Sequence, residues 1–335
     1  MAKRIGGRTV RLDKGIGVVG YGSVVVQKEG SGPLGNLFDE VGDDSKPLDG
    51  SWEKSESALQ SAALTRALGR AGLNADGVDM IFAGDLLNQC IGSTFGLRSY
   101  GIPFAGLFGA CSTMALSMMM AAISVESGAA QKAAAVTSSH FCTAERQFRT
   151  PLEYGGQRTP TAQWTTTAAG AVVLGVGGRV SVSDICMGKI VDLGQSDAHN
   201  MGAAMAPAAC DTIVSYMRDT GTSPDDYDAV FTGDLGSVGS ELLLELVTAE
   251  GYTLDSKHLD CGKMIFDIER QDVHAGGSGC GCAASVLCAH ILPMLESGRY
   301  KNVLFCPTGA LMSTTSGQQG ESVPGIAHLL HLVSG

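Results

Sequence analysis

The stretch Asp79-Met-Ile-Phe-Ala-Gly-Asp-Leu86 decides the fold, because it returns later in the chain as Asp228-Ala-Val-Phe-Thr-Gly-Asp-Leu235. Each copy follows a predicted helical segment that ends in a turn containing Gly and Asp. These helices are predicted at Ser57–Ala71, where apolar residues recur at helical spacing, and at Ala203–Arg218. The sequence therefore predicts one helix–turn–strand unit that occurs twice.

A second pair of matching stretches lies downstream in the same order. Glu126-Ser-Gly128 and Glu296-Ser-Gly298 each end a long apolar helix and precede an apolar strand, predicted at Ala133–Thr137 and at Asn302–Cys306. Two matches with the same neighbours are a poor fit to chance, so they indicate an internal duplication.

The duplication predicts the class of fold. Helices that alternate with strands, with Gly at the turns between them, favour layers of helices packed on buried sheets. Gly is abundant, at 46 of 335 residues, which suits many tight turns and close backbone approaches. We predict an α/β protein made of two duplicated halves, residues 1–180 and residues 181–335.

The charge of the chain argues against two classes of partner. Asp and Glu number 34 against 23 Lys and Arg, which gives a net charge of −11. Nucleic acids and anionic membrane surfaces both need clustered basic residues for electrostatic binding. We therefore expect neither nucleic-acid binding nor simple electrostatic docking on a membrane.

The longest apolar run, Ala110–Val125, is shorter than the ~20 residues that a membrane-spanning helix needs, and it contains Ser and Thr. It is predicted as a buried core helix, so we expect no transmembrane segment. The first residues hold no apolar stretch of signal-peptide length, and export is not expected.

Ten cysteines occur in the chain, and without an export signal reduced thiols are expected rather than disulfides. Cys280-Gly281-Cys282 is a C-x-C pair, whereas a zinc site needs two more ligands at suitable spacing. We predict no metal site and no resident cofactor.

Cys111 is the most suggestive single residue. It lies in the small-residue turn Gly109-Ala-Cys-Ser-Thr113, directly before the helix predicted at Ala115–Ser124. The positive end of a helix dipole lowers the pKa of a thiol, and free backbone N–H groups there bind anions. The competing interpretation is a small buried apolar residue, but the strand–turn–helix context favours a place in a pocket.

Nucleophilic catalysis by a cysteine also needs a base and a site for the developing oxyanion. None of the seven histidines lies in a small-residue turn like that of Cys111, and each is predicted to be structural or at the surface.

Two further segments offer polar groups that could bind a ligand. Asp260-Cys261 precedes Met264–Ile268, predicted as a strand, and Ser313-Thr314 lies in the hydroxyl-rich run Leu311–Gly317.

Taken together, these features resemble the thiolase superfamily, and β-ketoacyl-acyl-carrier-protein synthase III in particular. The duplicated halves, the Gly-Ala-Cys-Ser elbow and the Gly-rich turn before Ala283-Ala-Ser-Val286 carry the resemblance over nearly the whole chain. A family of sporulation proteins from spore-forming bacteria is closer still, through Phe108–Ala115 and through Gln157-Arg-Thr-Pro-Thr-Ala-Gln-Trp-Thr165. The resemblance implies a thiolase-like fold in a layered αβαβα arrangement.

In the synthases the nucleophilic cysteine matches Cys111. The resemblance places the catalytic histidine at about Gly233 and the catalytic asparagine at Cys280, and neither residue type occurs at these turns. Those two groups polarise the substrate carbonyl and handle the proton, and removing one oxyanion donor typically costs about 10²–10³ in rate. The expectation is therefore a pocket that binds a ligand without catalysis.

For the sporulation family, the resemblance implies binding of dipicolinic acid (pyridine-2,6-dicarboxylic acid), or of its calcium chelate, for uptake into the developing spore. The protein is expected at the spore inner membrane, peripherally, with other membrane proteins of the same sporulation operon, and as a homodimer. Ca²⁺ is expected only together with dipicolinate, with Asp260 completing its coordination. The implied ligand-binding residues are Cys111, Asp260, Cys261, Cys280, Ser313 and Thr314.

Two other functions remain open from the sequence. The first is an acyltransferase or condensing enzyme of the synthase III type, with Cys111 as nucleophile and an unrecognised base. The second is a purely structural scaffold, which would show no ligand-dependent rise in melting temperature.

Overall fold

The computed structural model describes residues 2–148 and 158–335 of the chain. Its strands alternate with helices along the chain, as the repeated unit predicts. The strands are β1 (Lys3–Arg4), β2 (Thr9–Arg11), β3 (Ile16–Val26), β4 (Glu40–Gly42), β5 (Met80–Gly84), β6 (Phe104–Gly106), β7 (Lys132–Ser139), β8 (Trp164–Thr165), β9 (Ala168–Val176), β10 (Val180–Cys186), β11 (Ala229–Thr232), β12 (His258–Asp260), β13 (Gly277–Ser278), β14 (Asn302–Cys306), β15 (Thr308–Ala310), β16 (Gly325–Ala327) and β17 (Leu329–Ser334).

The longest helices of the described ranges have 15 to 20 residues. The helices are α1 (Gln27–Gly30), α2 (Trp52–Ala71), α3 (Ile91–Leu97), α4 (Thr113–Ser127), α5 (Phe141–Phe148), α6 (Met201–Thr220), α7 (Gly236–Ala249), α8 (Cys261–Met264), α9 (Cys280–Val286), α10 (Leu292–Glu296) and α11 (Thr314–Gln318). Helices α9 and α10 continue into each other through a π-helical turn at Leu287–Ile291.

The strand order is symmetric about its centre. Ten strands run in the order β12-β11-β14-β17-β10-β3-β9-β7-β5-β6, with β1, β2 and β4 attached beside this path. On one side β5 lies parallel to β6 and β7, and β7 is antiparallel to β9; on the other, β11 lies parallel to β12 and β14, and β14 is antiparallel to β17. Strands β3 and β10 join the two five-stranded halves through the pairs Val18–Val180 and Gly17–Ser181.

The duplication extends to individual hydrogen bonds. Asp79 accepts the backbone N–H groups of Gln131 and Lys132 at 2.7 and 3.0 Å. Its counterpart Asp228 accepts those at positions 301 and 302 at 2.6 and 3.0 Å. Each aspartate therefore ties the start of its own strand to the start of the parallel neighbour. The predicted duplication is confirmed, whereas the exact boundary at residue 180 stays a prediction.

Both faces of the sheets are buried, which explains the long apolar runs. Along β7, Ala133 and Ala135 belong to a central core and Ala134 and Val136 to an outer one. Along β14, Val303 and Phe305 likewise face the central core, while Leu304 and Cys306 face a second outer core. Because side chains alternate along a strand, the inner faces of both halves share one core.

Helix positions complete the five layers. Helices α4, α9 and α10 contribute to the shared central core between the two halves. Helix α2 packs on the outer face of the first half, and α6 and α7 pack on the outer face of the second. The arrangement is α2, sheet, α4 with α9–α10, sheet, and α6 with α7, which confirms the predicted αβαβα layering.

One helical segment of the described residues, Ala110–Ser127, is long and apolar enough to cross a membrane by length and composition. Within the fold 72% of this segment is buried, as expected of a core helix. Met114, Met118 and Met119 are fully buried in the central core. The prediction of a buried helix at this position is confirmed.

One predicted element is wrong. The stretch Met264–Ile268 was expected as a strand, but Met264 ends α8 and the following residues form a turn. Ile265 and Phe266 are nonetheless buried in the central core. A short apolar run shows that residues are buried without showing the backbone conformation, which explains the error.

Candidate functional site

The site begins at the elbow before α4. Ala110 adopts a left-handed backbone conformation, with φ of 47°, which is uncommon for a residue with a side chain. Thr113 stabilises this turn, since its hydroxyl donates to the Ala110 carbonyl and accepts from the N–H of Gly109 at 3.1 Å. The turn presents Cys111 at the start of the central helix, where it is 5% exposed.

A second backbone segment packs directly on this elbow. A Cβ atom at Gly309 in β15 would lie 2.3 Å from the carbonyl oxygen of Gly109 and 3.2 Å from the nitrogen of Cys111. Only glycine fits such an approach, so β15 and the elbow hold each other in position. Gly309 was not identified from the sequence.

Asp234 is the charged group beside Cys111. It follows β11, is 0% exposed, and accepts a hydrogen bond from the Thr308 hydroxyl at 2.7 Å. Weaker contacts come from the Ser278 hydroxyl at 3.4 Å and from the N–H of Gly279 at 3.3 Å. Burial raises the pKa of Asp234 to about 7, against the opposing effect of these hydrogen bonds.

The expectation of an activated Cys111 thiol is wrong. Burial, and then the charge and hydrogen bond of Asp234, raise the pKa of Cys111 well above its ordinary value. The end of a helix dipole is worth only about 0.3–1 kcal/mol, whereas full burial shifts a pKa by up to several units. The thiol is therefore neutral at physiological pH, with the Ser278 hydroxyl 3.9 Å from its sulfur.

Across residues 2–148 and 158–335, which include all seven histidines, no imidazole hydrogen-bonds to the Cys111 sulfur. His140 contacts Asp44, and His258 contacts the Thr232 hydroxyl. His331 lies against Asp184. The polar group in contact with the thiol is the Ser278 hydroxyl, and the charge that acts on it is that of the Asp234 carboxyl.

Cys280 forms a second cysteine position related to the first by the duplication. It clusters with Cys111 and Leu86, and its thiol lies 2.9 Å from the Ser138 carbonyl oxygen. Burial first, and then the charges of Cys111 and Asp85, raise the pKa of Cys280. Asp85 occupies the same place in the first octamer that Asp234 occupies in the second, so each half supplies an aspartate to the cysteine of the other.

Asp260 is a structural acceptor as well as a predicted ligand-binding residue. Its two oxygens accept the Thr232 hydroxyl at 2.7 Å and the N–H groups of Leu235, Gly236 and Lys263 at 2.8, 3.0 and 3.2 Å. These bonds hold the loop that carries Asp234 and cap the start of α8. Direct contact of Asp260 with a ligand stays a prediction.

The remaining predicted residues lie in different surroundings. Cys261 is fully buried in the central core beside α9. Ser313 is exposed and caps α11 by accepting the N–H groups of Thr315 and Ser316, and Thr314 begins that helix. The roles predicted for these residues are not tested by their placement.

The stretch from Gln157 to Thr165 connects to the site, although Gln157 lies outside the described residues. Gln163 is buried, and its amide donates to the carbonyl oxygens of Asp234 at 2.5 Å and Gly277 at 3.1 Å. Trp164 and Thr165 form β8, which pairs in parallel with Gly277 and Ser278. This stretch therefore supports the loops on either side of the Asp234 carboxyl.

Within the part of the chain that the structure describes, no group of three or more His, Cys, Asp or Glu side chains is arranged to hold a metal ion. Asp234 with the Ser278 and Thr308 hydroxyls offers oxygen atoms to a cation that arrives with other ligands of its own.

We expect Asp260→Ala to lower stability on the order of 3–5 kcal/mol, because four internal donors lose their acceptor. Asp228→Ala is the matched control, since it removes an acceptor of two N–H groups that are exposed to water. Urea unfolding of both variants measures the difference. Equal stability of the two variants would contradict a fold-holding role for Asp260.

Comparison with known proteins places the chain in a family. The family model for stage V sporulation protein AD (SpoVAD) matches residues 6–333. Stage V sporulation protein AD of Bacillus subtilis (strain 168) is 43% identical over 327 residues, which covers 97% of this chain and 96% of that protein.

Solved structures with the same fold include enzymes that are distant in sequence. The 3-oxoacyl-[acyl-carrier-protein] synthase III of Aquifex aeolicus VF5 matches 94% of this chain and 99% of its own, with a TM-score of 0.58 and 14% identity. A single-substitution variant of Xanthomonas campestris OleA matches over 96% of this chain and 97% of its own, with a TM-score of 0.64 and 13% identity. These likenesses establish a thiolase-like fold, and the sequence match over nearly the whole length shows that the chain belongs to the stage V sporulation protein AD family.

Proposed function

We propose that this sporulation protein is a non-catalytic binding protein for dipicolinic acid, or its calcium chelate, during uptake into the developing spore. The observation that carries the proposal is the buried Cys111 thiol, which contacts the Ser278 hydroxyl rather than an imidazole and whose pKa is raised by burial and by the charge of Asp234. A neutral thiol is a poor nucleophile, since the thiolate is the reactive form. The elbow then serves recognition of a ligand.

The groups around the elbow suit a planar dicarboxylate. The start of α4 offers backbone N–H groups, and Ser278 and Thr308 offer hydroxyls. Asp234 in its protonated form donates a hydrogen bond to a ligand carboxylate. Its pKa of about 7 means that this form is available near neutral pH.

For the calcium chelate, Asp234 is the better oxygen donor than Asp260. The Asp260 oxygens already accept four internal hydrogen bonds. Asp234 lies beside Cys111 and accepts one strong hydrogen bond, from Thr308 at 2.7 Å. Ca²⁺ binds six to eight oxygens, so a carboxylate and nearby hydroxyls add to those of the chelating ligand.

A condensing or acyl-transfer enzyme is the second candidate, and Asp234 is the observation that favours it. A carboxyl group with a pKa of about 7, whose charge acts on the thiol, has the properties of a general base. The charge of Asp234 opposes this role, because it raises the pKa of Cys111 and disfavours the thiolate. The geometry therefore supports binding better than turnover.

We further propose that the protein works peripherally at the spore inner membrane, with other membrane proteins of the same sporulation operon. Family membership supports the sporulation context. The apolar α4 is committed to the central core, so membrane attachment through partner proteins fits this fold.

Affinity for dipicolinate should rise as pH falls through about 7, because protonation of Asp234 removes its repulsion of the dianion. Because binding is linked to the uptake of one proton, the affinity falls by at most about tenfold per pH unit above about pH 7. In Asp234→Asn we expect a flat profile between about pH 7 and pH 9. Isothermal titration calorimetry measures the affinity of both proteins as a function of pH. If the calcium chelate is the true ligand, the affinity measured with added Ca²⁺ rises with pH instead.

Two results would contradict the binding proposal. One is the absence of saturable binding and of any ligand-dependent rise in melting temperature. The other is stable transfer of a labelled acyl group from acyl-CoA to Cys111, followed by condensation, with loss of both in Cys111→Ala.

The expected homodimer has a structural candidate in the edge strand β6. All three β6 residues are exposed, and β6 ends the strand order. Phe95, Phe104 and Phe108 are 50%, 41% and 49% exposed around it. Apolar side chains on an open strand edge favour pairing with another copy of the chain.

We expect Phe104→Glu to convert a dimer of the 34.5 kDa chain into a monomer, because a charge would be buried at the paired edge. Leu193→Glu is the control, since Leu193 is 73% exposed elsewhere on the surface. Analytical ultracentrifugation distinguishes the species. A wild-type monomer, or a dimer that persists in Phe104→Glu, would rule out this interface.

A further inference from the structure

The Cys111 site has an apolar side as well as a polar one. Cys111 lies in a small cluster with Leu86, Ala144 and Cys280, whose exposed fractions are 8%, 4% and 0%. Phe148 packs against this cluster. These side chains therefore form the apolar surroundings of the elbow.

Helix α5 positions two of these side chains. Ala144 and Phe148 are four residues apart, so they lie on the same face of the helix. Thr143 connects the helix to α2, because its hydroxyl oxygen lies 2.6 Å from an oxygen of the buried Glu56 carboxyl. The face that carries Phe148 is thus held beside the elbow by a contact outside the cluster.

Phe148 differs from the rest of the cluster in its burial. The four clustered residues are all buried, whereas the Phe148 side chain is half-buried. Part of an aromatic surface is therefore left open next to a buried thiol. Covering apolar surface is favourable, so this position suits the apolar face of a ligand.

The polar groups of the site come from the other half of the chain. The Ser278 hydroxyl is 3.9 Å from the Cys111 sulfur, and the charge of the Asp234 carboxyl acts on the thiol. The Thr308 hydroxyl donates to Asp234 at 2.7 Å. The apolar residues, by contrast, follow β5 or lie on α5. A planar aromatic dicarboxylate has the same division, because its carboxylates are polar and its ring faces are apolar.

We infer that Phe148 is a specificity-determining residue, which contacts the ring face of a planar aromatic dicarboxylate bound beside Cys111. This inference rests on the proposed function and adds the residue that recognises the ring. Contact between two aromatic rings is worth about two- to tenfold in affinity beyond the burial of area. Phe148 therefore favours an aromatic dicarboxylate over an aliphatic one.

Phe148→Leu tests this role, because it keeps an apolar side chain on α5 and removes the aromatic ring. We expect dipicolinate to bind about two- to tenfold more weakly, and Phe148→Tyr to retain most of the affinity. The ring current of Phe148 should shift the proton NMR signals of bound dipicolinate upfield in the wild-type protein, and less so in Phe148→Leu.

Phe141→Leu is the matched control for the loss of a ring from α5. Phe141 lies on the same helix, but its ring stacks on Trp164 at 3.7 Å between ring centres. We expect Phe141→Leu to keep both the affinity for dipicolinate and the upfield shifts of its signals.

The outcomes separate this inference from the proposed function. If the wild-type protein binds dipicolinate and Phe148→Leu binds it with equal affinity and equal shifts, the role of Phe148 is refuted and the proposed function stands. Equal weakening in Phe148→Leu and Phe141→Leu also refutes it, because the effect then comes from the helix rather than from the ring. A wild-type protein that does not bind dipicolinate refutes both. Calorimetric titration and proton NMR of the four proteins give these results directly.

Discussion

The rest of the site depends on the electrostatic interaction between the buried Cys111 thiol and the buried Asp234 carboxyl. Water is excluded from both groups, so the charge of each is costly and the pKa of each rises. The helix dipole at the start of α4 is too weak to reverse this effect. The fold keeps the thiolase-like elbow, while burial disfavours the thiolate form of its cysteine.

Internal symmetry explains how this pair arose from the two halves. Asp85 and Asp234 occupy the same position in the repeated octamer, and each lies near the cysteine at the helix start of the other half. Asp85 is tied down by Ser93, whose hydroxyl and N–H lie 2.6 and 2.7 Å from one of its oxygens. Asp234 has weaker contacts on the side of Cys111. The two aspartates have therefore diverged, since Asp85 has shorter hydrogen bonds beside its cysteine than Asp234 has beside Cys111.

Much of the fold followed from the sequence, because repeats and apolar periodicity report on local structure and burial. The duplicated unit, the central helix and the Cys111 elbow were all predicted. Asp234 and Gly309 were not, since their roles depend on contacts between residues far apart in the chain. The repeat did contain a sign of Asp234, as the aspartate shared by both octamers. The pKa of Cys111 was predicted in the wrong direction, because burial cannot be weighed against a helix dipole without the neighbouring groups.

The most direct test of a neutral Cys111 is its rate of alkylation by iodoacetamide as a function of pH, followed on the Cys111 peptide by mass spectrometry. We predict a rate that still rises beyond the ordinary thiol pKa of 9.0, and a lower apparent pKa in Asp234→Asn. A rate that levels off below about pH 7 would show a thiolate at neutral pH, which would contradict this account and favour an enzyme.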